Sequence, residues 1–286
     1  MSTLSAHHDA VAVWPGTPGE AAENAAEAAE NGVDIVVAMG GDGMVHQVSQ
    51  GLVGTGSALG IIPVGTTNVT ARLLKVPSKP GKAARLIADT PPPRSLGVAT
   101  MTMQRGTVET THHAIFACGV GFDAEVVSRA DSDPYKKYRF GSIHYARTAV
   151  GVALGKSSVR KPHIEMRLGA EVTEVSTALV QFRDVYTYFG KIPLQFGPDQ
   201  PDPMSVLTFD RVRRSRVPQI AFDVLLRRDL NVIKGARVWE GVQRLDLKAN
   251  PPVSAQADGE ALGLIESGVI EWSPGALTVI AGWGTA

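Results

Sequence analysis

The chain has 286 residues, 44% of them hydrophobic, and its 28 basic side chains balance 28 acidic ones. That length supports one large domain or two medium ones with real cores, and the zero net charge excludes a nucleic-acid binder that relies on a whole-chain basic field. Cys118 is the single cysteine, so no intrachain disulfide forms; its flanks, Phe116, Ala117, Gly119 and Val120, read as a buried strand end. The first residues (His7, His8, Asp9) lack the apolar core of a secretory signal, and no apolar run approaches the ~20 residues of a spanning helix. These features predict a soluble, intracellular protein.

Residues 10–90 alternate strand and helix. AVAV at 10–13 predicts a short strand. Thr17-Pro18-Gly19-Glu20 predicts a capping box with proline at the first helical position, and EAAENAAEAAEN continues a helix that Gly32 stops. Val33–Ala38 predicts a strand, apolar apart from Asp34, as in a parallel strand covered on both faces. Gly40-Gly41-Asp42-Gly43 follows, then an amphipathic helix carrying Val45, Val48 and Leu52. Glycines at such a turn let backbone amides approach a phosphate, and the helix N-terminus favours negative charge. Asp42 is an acid where a phosphate should go, which suits a metal or a hydroxyl between them. A tight turn with Asp42 as a helix N-cap fits the same residues. A strand at 58–62 (ALGII) leads to Pro63 and a second turn, Gly65-Thr66-Thr67-Asn68. Thr66 can bond a phosphate oxygen; Asn68 can cap the next helix or bond a ligand. Helices follow through Ala71–Leu74 and Ala83–Ala88. Both turns fall at carboxyl ends of strands, where ligands sit in open α/β sheets, and together they favour a nucleotide.

Thr90-Pro91-Pro92-Pro93 breaks the rhythm and predicts a boundary. The expected division is an α/β nucleotide-binding domain at 1–92, with 281–286 returning to it, and a β-rich sandwich at 93–280. Strands are predicted at 95–99, 107–116, 163–168, 176–182, 205–209, 244–247, 269–272 and 277–280, with helices near 122–130, 142–154 and 217–228. Basic residues cluster at Arg211–Arg216, Arg227-Arg228 and Lys136–Arg139. They suit an anionic membrane surface or a solvated loop face equally. Asp258-Gly259 between strand-like runs is a hairpin signal.

GGDG, then GIIPVGTTNVTARLL, then Ala257-Asp258-Gly259-Glu260 resembles the diacylglycerol kinase catalytic family, which includes bacterial lipid kinases and sphingosine kinases. GVGFDAE at 119–125 and YTYFG at 186–190 are similar to actinobacterial members. The resemblance implies a doubly wound α/β nucleotide domain, a β-sandwich lipid domain and an active site in the cleft between them. It implies ATP and magnesium as cofactors and phosphorylation of diacylglycerol or a related lipid to phosphatidic acid, by a cytoplasmic protein attached peripherally to the membrane. Nucleotide contacts map onto Gly40, Gly41, Asp42, Gly43, Met44, Thr66 and Asn68. The proton acceptor maps onto Asp258, with Glu260 setting its geometry. An aspartate is ordinarily ionised at neutral pH and can accept a hydroxyl proton. A structural magnesium maps onto Asp199, Asp202 and the carbonyl near Met204. A nucleotide and a lipid are the partners, nucleic acid is not, and a homodimer is left open.

The sequence also departs from the family. Members begin with a strand and an Asn-Pro loop, so on this resemblance the chain is N-terminally shortened. A family threonine after GGDG is Met44 here, and a glutamate on the following helix is Gln47. Pro15 stands where a threonine is expected, and Pro203 and Met204 replace a glycine and an aromatic residue. Two alternatives therefore stay open. One is a lipid- or nucleotide-binding remnant without turnover; the other, since NAD kinases share GGDG, is a soluble NAD kinase.

Overall fold

The computed structural model describes residues 2–121, 124–125, 163–189, 192–198, 203–210, 233 and 235–282. The chain divides into two units, Met1–Val98 with Ser273–Ala286, and Ala99–Trp272. The proline run at 91–93 ends a helix rather than a domain, and the strand that follows begins in the first unit. The return starts at Ser273 rather than at 281, because a single long strand leads into it.

The first unit opens with α1 (Ser2–Ser5), whose Leu4 is buried beside α5 (Pro80–Ala88). The strand expected at 10–13 does not form. Val11, Val13 and Trp14 are exposed, Trp14 at 82%, and no partner strand lies beside them among the described residues. A strand without a neighbour leaves its backbone groups unpaired, so alternation alone does not hold it. Helix α2 (Pro18–Glu30) starts as its sequence requires. Thr17 Oγ1 accepts the Glu20 N–H at 3.2 Å, and Glu20 Oε2 reaches back to the Gly16 N–H at 2.6 Å, one residue beyond the usual partner.

Strands β1 (Ile35–Gly40) and β2 (Ala58–Pro63) pair in parallel, from Ile35↔Ala58 to Gly40↔Pro63, joined by α3 (Asp42–Leu52). The last strand, β14 (Glu260–Val279), pairs in parallel with β2 through Thr278↔Ala58 and Val279↔Leu59. β2 is thus flanked on both sides and wholly buried. β1 begins two residues later than the predicted strand, and among the described residues it pairs with β2 alone. Ala38 is its one buried residue and Met39 is 62% exposed, so the expectation of cover on both faces fails. Helices α4 (Val69–Leu73) and α5 complete the unit.

Helices α2 and α3 touch almost backbone to backbone at Gly51. A Cβ there would lie 2.2 Å from the Ala22 carbonyl oxygen and 2.7 Å from Ala26 N. Alanine at 51 should gain about 1 kcal/mol of helix propensity and lose about 1–3 kcal/mol to overpacking. Gly51→Ala is therefore expected to lower the denaturant midpoint; an unchanged or higher midpoint would show that the helices can part without cost.

In the second unit β3 (Arg94–Arg105), which starts in the first, pairs antiparallel with β4 (Val108–Ala114). Next come β5 (Ala117–Gly121), β6 (Ile164–Leu168), β7 (Glu171–Val175) and β8 (Thr177–Gln181). β9 (Thr187–Phe189) and β10 (Ile192–Leu194) form a small hairpin. β11 (Ser205–Phe209), β12 (Ala236–Trp239) and β13 (Arg244–Ala257) lead to β14. β13 pairs with β5, β6 and β14; β5 continues through β8 and β11 to β12, all antiparallel. The core includes Met101, Met103, Cys118, Val120, Met166, Val180, Met204, Val206 and Leu245. Cys118 is a small core residue, as its flanks predict. The expected strand at 244–247 extends to Ala257, and those at 269–272 and 277–280 merge. A register shift between Lys248 and Val253 absorbs Pro251 and Pro252, and Gly275 at φ 65° absorbs the Ser-Pro-Gly step. Among the expected helices, 142–154 and 217–228 lie outside the described residues, as does 122–130 apart from 124–125. The three basic clusters lie outside them as well.

Candidate active site

In the first unit both glycine turns are tied together by one side chain. Gly41 is the N-cap of α3 and makes no side-chain cap bond. Asp42 follows, and its carboxylate turns away to the other loop. Oδ2 accepts the Val69 N–H at 2.9 Å and Oδ1 accepts the Thr70 N–H at 3.0 Å. These are the first amides of α4, which have no partner within their own helix. Asp42 therefore caps α4, not its own helix. Asn68 stands at the N-cap position of α4 but makes no side-chain cap bond. It adopts the left-handed conformation at φ 49° and closes the turn on Gly65: Nδ2 donates to the Gly65 carbonyl at 2.8 Å, and Oδ1 accepts the Gly65 N–H at 3.1 Å.

The glycines permit this contact. A Cβ on Gly65 would lie 2.6 Å from Gly41 Cα, and one on Gly40 would lie 2.4 Å from Met44 Cβ. The Val64 N–H donates to the Gly40 carbonyl at 3.0 Å. Gly43 and Met44 sit half-buried in the first turn of α3, and Thr66 is exposed. The seven residues proposed for nucleotide thus gather at one paired turn. Its glycine backbone and the N-terminus of α3 suit a phosphate.

In the second unit Asp258-Gly259 is the two-residue turn between β13 and β14, with positive φ at both positions (53° and 82°) and Ala257↔Glu260 paired across it. The Asp258 carboxylate is only 4% exposed and is held by a run of backbone amides. Ile115 N–H donates at 3.0 Å to Oδ1 and 2.8 Å to Oδ2, Phe116 N–H at 3.0 Å to Oδ1, and Ala117 N–H at 3.4 Å to Oδ1. The Asp258 N–H donates in turn to the Ala117 carbonyl at 2.8 Å. The hairpin signal is correct, and the same aspartate is also a buried anion bound by amides. Glu260 is half-buried at the start of β14.

Around the turn, Gln256 Oε1 accepts the Gly259 N–H at 3.0 Å and Nε2 donates to the Tyr186 hydroxyl at 2.9 Å. Tyr186 packs on Phe196 with ring centroids 5.3 Å apart. Arg183 lies over Phe182 (5.7 Å) and Trp272 (5.6 Å) and donates to the Phe182 carbonyl at 3.0 Å. Burial pushes its pKa down to about 10, against the opposing pull of the Asp258 and Asp184 carboxylates. Sequence reasoning missed Arg183 and Gln256. The available signal was an arginine directly after an apolar strand end; its second aromatic neighbour lies far along the chain.

For the metal loop, Asp199 and Asp202 lie outside the described residues. Met204 is fully buried, and its carbonyl accepts the Val242 N–H at 3.0 Å. Among the described residues no three His, Cys, Asp or Glu side chains converge to hold a metal.

Residues 2–97 match the diacylglycerol kinase catalytic domain. The match contains both glycine turns and stops before Asp258. A Chromohalobacter salexigens protein named "Probable lipid kinase YegS-like" is 35% identical over 143 residues, which are 48% of this chain and 42% of that protein. A Synechocystis protein without an assigned function is 30% identical over 157 residues, 52% of this chain and 32% of that protein. The chain thus spans less than half the length of both relatives. The diacylglycerol kinase of Mycobacterium tuberculosis (strain H37Rv) is 29% identical over 233 residues, 80% of this chain and 70% of that enzyme. A crystal structure of a Bacillus anthracis str. Sterne protein, assigned to the diacylglycerol kinases, superposes with TM-score 0.72 at 22% identity, covering 98% of this chain and 89% of that one. That likeness establishes the fold: an α/β domain of the diacylglycerol kinase type and a β-rich second domain. No described helix is long and apolar enough to cross a membrane.

Proposed function

We propose that the chain transfers the γ-phosphoryl group of ATP to the free hydroxyl of diacylglycerol or a related lipid, giving phosphatidic acid or its counterpart. The observation that carries this reading is the Asp42 tie between the GGDG and GTTN turns, inside the stretch that matches the diacylglycerol kinase catalytic domain. Gly40, Gly41 and Gly43 would let the phosphates approach the backbone, and the Thr66 hydroxyl and the Asn68-closed turn would flank them. Bound magnesium-ATP supplies the phosphoryl group and the charge that screens it. Asp42, whose two oxygens each accept an α4 amide, would act here by holding the two turns together around the phosphates.

Phosphoryl transfer passes through a loose transition state, so the protein contributes mainly position and electrostatics. Asp258 would accept the lipid hydroxyl proton as the oxygen attacks. Its amide contacts would fix where the carboxylate sits, and so the direction from which it orients the lipid hydroxyl. Glu260, across the same turn, would help hold that geometry. A lipid substrate places the chemistry at a membrane surface, with the chain peripheral to it.

The decisive assay follows labelled γ-phosphate into diacylglycerol presented in mixed micelles, beside a lipid-free arm containing NAD. Label in the lipid is the expected result. Label in NAD alone would make the chain a soluble nucleotide kinase. Heat of magnesium-ATP binding without transfer to any hydroxyl lipid would make it a binding remnant; Met44, in place of a hydroxyl near the phosphates, motivates that outcome.

A further inference from the structure

Asp258 and Arg183 leave the sheet at the same end. Ala257 pairs with Cys118, Cys118 pairs with Val180, and Ala117 pairs with Gln181. The Phe182 N–H then donates to the Phe116 carbonyl at 3.3 Å, and Phe116 is one of the three residues whose amides bind Asp258. Arg183 therefore emerges beside the amide run that holds the carboxylate. Its orientation is fixed on several sides. The planar guanidinium rests over two aromatic faces, Phe182 and Trp272, themselves packed at 5.6 Å and 59°. One terminal nitrogen donates to the Phe182 carbonyl, while the Gln181 amide nitrogen donates at 2.8 Å to the Arg183 carbonyl. The aromatic shelf thus holds the guanidinium in one orientation on the side of the sheet where the amides of 115–117 bind the carboxylate.

We infer that Arg183 is the positioning residue of Asp258: clamped on Phe182 and Trp272, it supplies the fixed positive charge that keeps the carboxylate seated on the amides of 115–117. It acts through Asp258 and needs no contact with lipid or nucleotide. The inference rests on the proposed kinase reading for its catalytic consequence, but its structural part stands without it. The pull of the Asp258 carboxylate on the guanidinium has the same sense.

Two substitutions separate charge from packing. Arg183→Lys keeps the cation and loses the planar stack; Arg183→Met keeps much of the apolar bulk and loses the charge. The first readout is amide hydrogen exchange at Ile115, Phe116 and Ala117 in the full chain, followed by NMR. Arg183→Met is expected to speed exchange about tenfold at these three amides, the factor for loosening one charge-assisted hydrogen bond. Arg183→Lys should stay near wild type. Unchanged protection in Arg183→Met overturns the inference, and so does equal loss in both variants, which would mean that stacking alone is at work. The second readout is the kinase assay. Arg183→Met is expected to lower kcat with KM for magnesium-ATP unchanged, and Arg183→Lys to restore most of kcat. If wild type itself transfers no phosphate while the exchange difference appears, the kinase reading falls and the positioning role of Arg183 stands.

Discussion

Asp258→Asn is expected to cut kcat for lipid phosphorylation by about 10²–10⁴, the usual worth of a positioned proton acceptor. An asparagine oxygen can still take the amides that converge on Oδ1 of Asp258. Its NH2 group, however, meets the Ile115 N–H, which now bonds both carboxylate oxygens. Two donors facing each other in a buried site should cost about 1–3 kcal/mol. The two effects are separable: kcat is measured well below the melting transition, and stability by urea denaturation. A large fall in kcat with a modest fall in stability assigns Asp258 to the chemistry. Equal turnover in both proteins would reduce it to the anchor of a hairpin.

Gly65→Ala has the largest effect expected in the first unit. The new methyl would stand 2.6 Å from Gly41 Cα, 2.8 Å from Asn68 Oδ1 and 3.3 Å from Gly41 N. Its obstacles are largely backbone, so relief requires the turns to separate. Separation pulls Asp42 off the Val69 and Thr70 amides and strips α4 of its cap. The combined cost should be about 1–3 kcal/mol from overpacking, with a further ~1 kcal/mol from the lost cap. Magnesium-ATP affinity, measured by calorimetric titration, should fall at least about tenfold, because a phosphate site built from backbone does not survive displacement of that backbone. Affinity equal to wild type would mean that the paired turns are not where the nucleotide sits.

The elements were legible where a local rule sufficed. Thr17, Pro18 and Glu20 fix the start of α2 by capping chemistry, and Asp258-Gly259 fixes its turn by backbone preference. Local rules failed where the partner lay elsewhere in the chain. The residues at 10–13 have strand character but no neighbour to pair with, whereas Pro251 and Pro252 lie within a strand that two neighbours hold in place. At the glycine turns the hydrogen-bond partners lay outside any short window. Asn68, beside α4, is spent on its own loop, and the cap comes from Asp42, 27 residues earlier. Arg183 was invisible for the same reason: its role depends on Trp272 and on a strand register that no short window contains.

Cys118 gives this architecture a built-in clock. It is the chain's single thiol, it is completely buried, and its backbone pairs with Ala257 on one side and Val180 on the other. A thiol reagent reaches it when those strands part and not before. Its labelling rate therefore times the opening of the hairpin that carries Asp258, in the native protein and without any added probe.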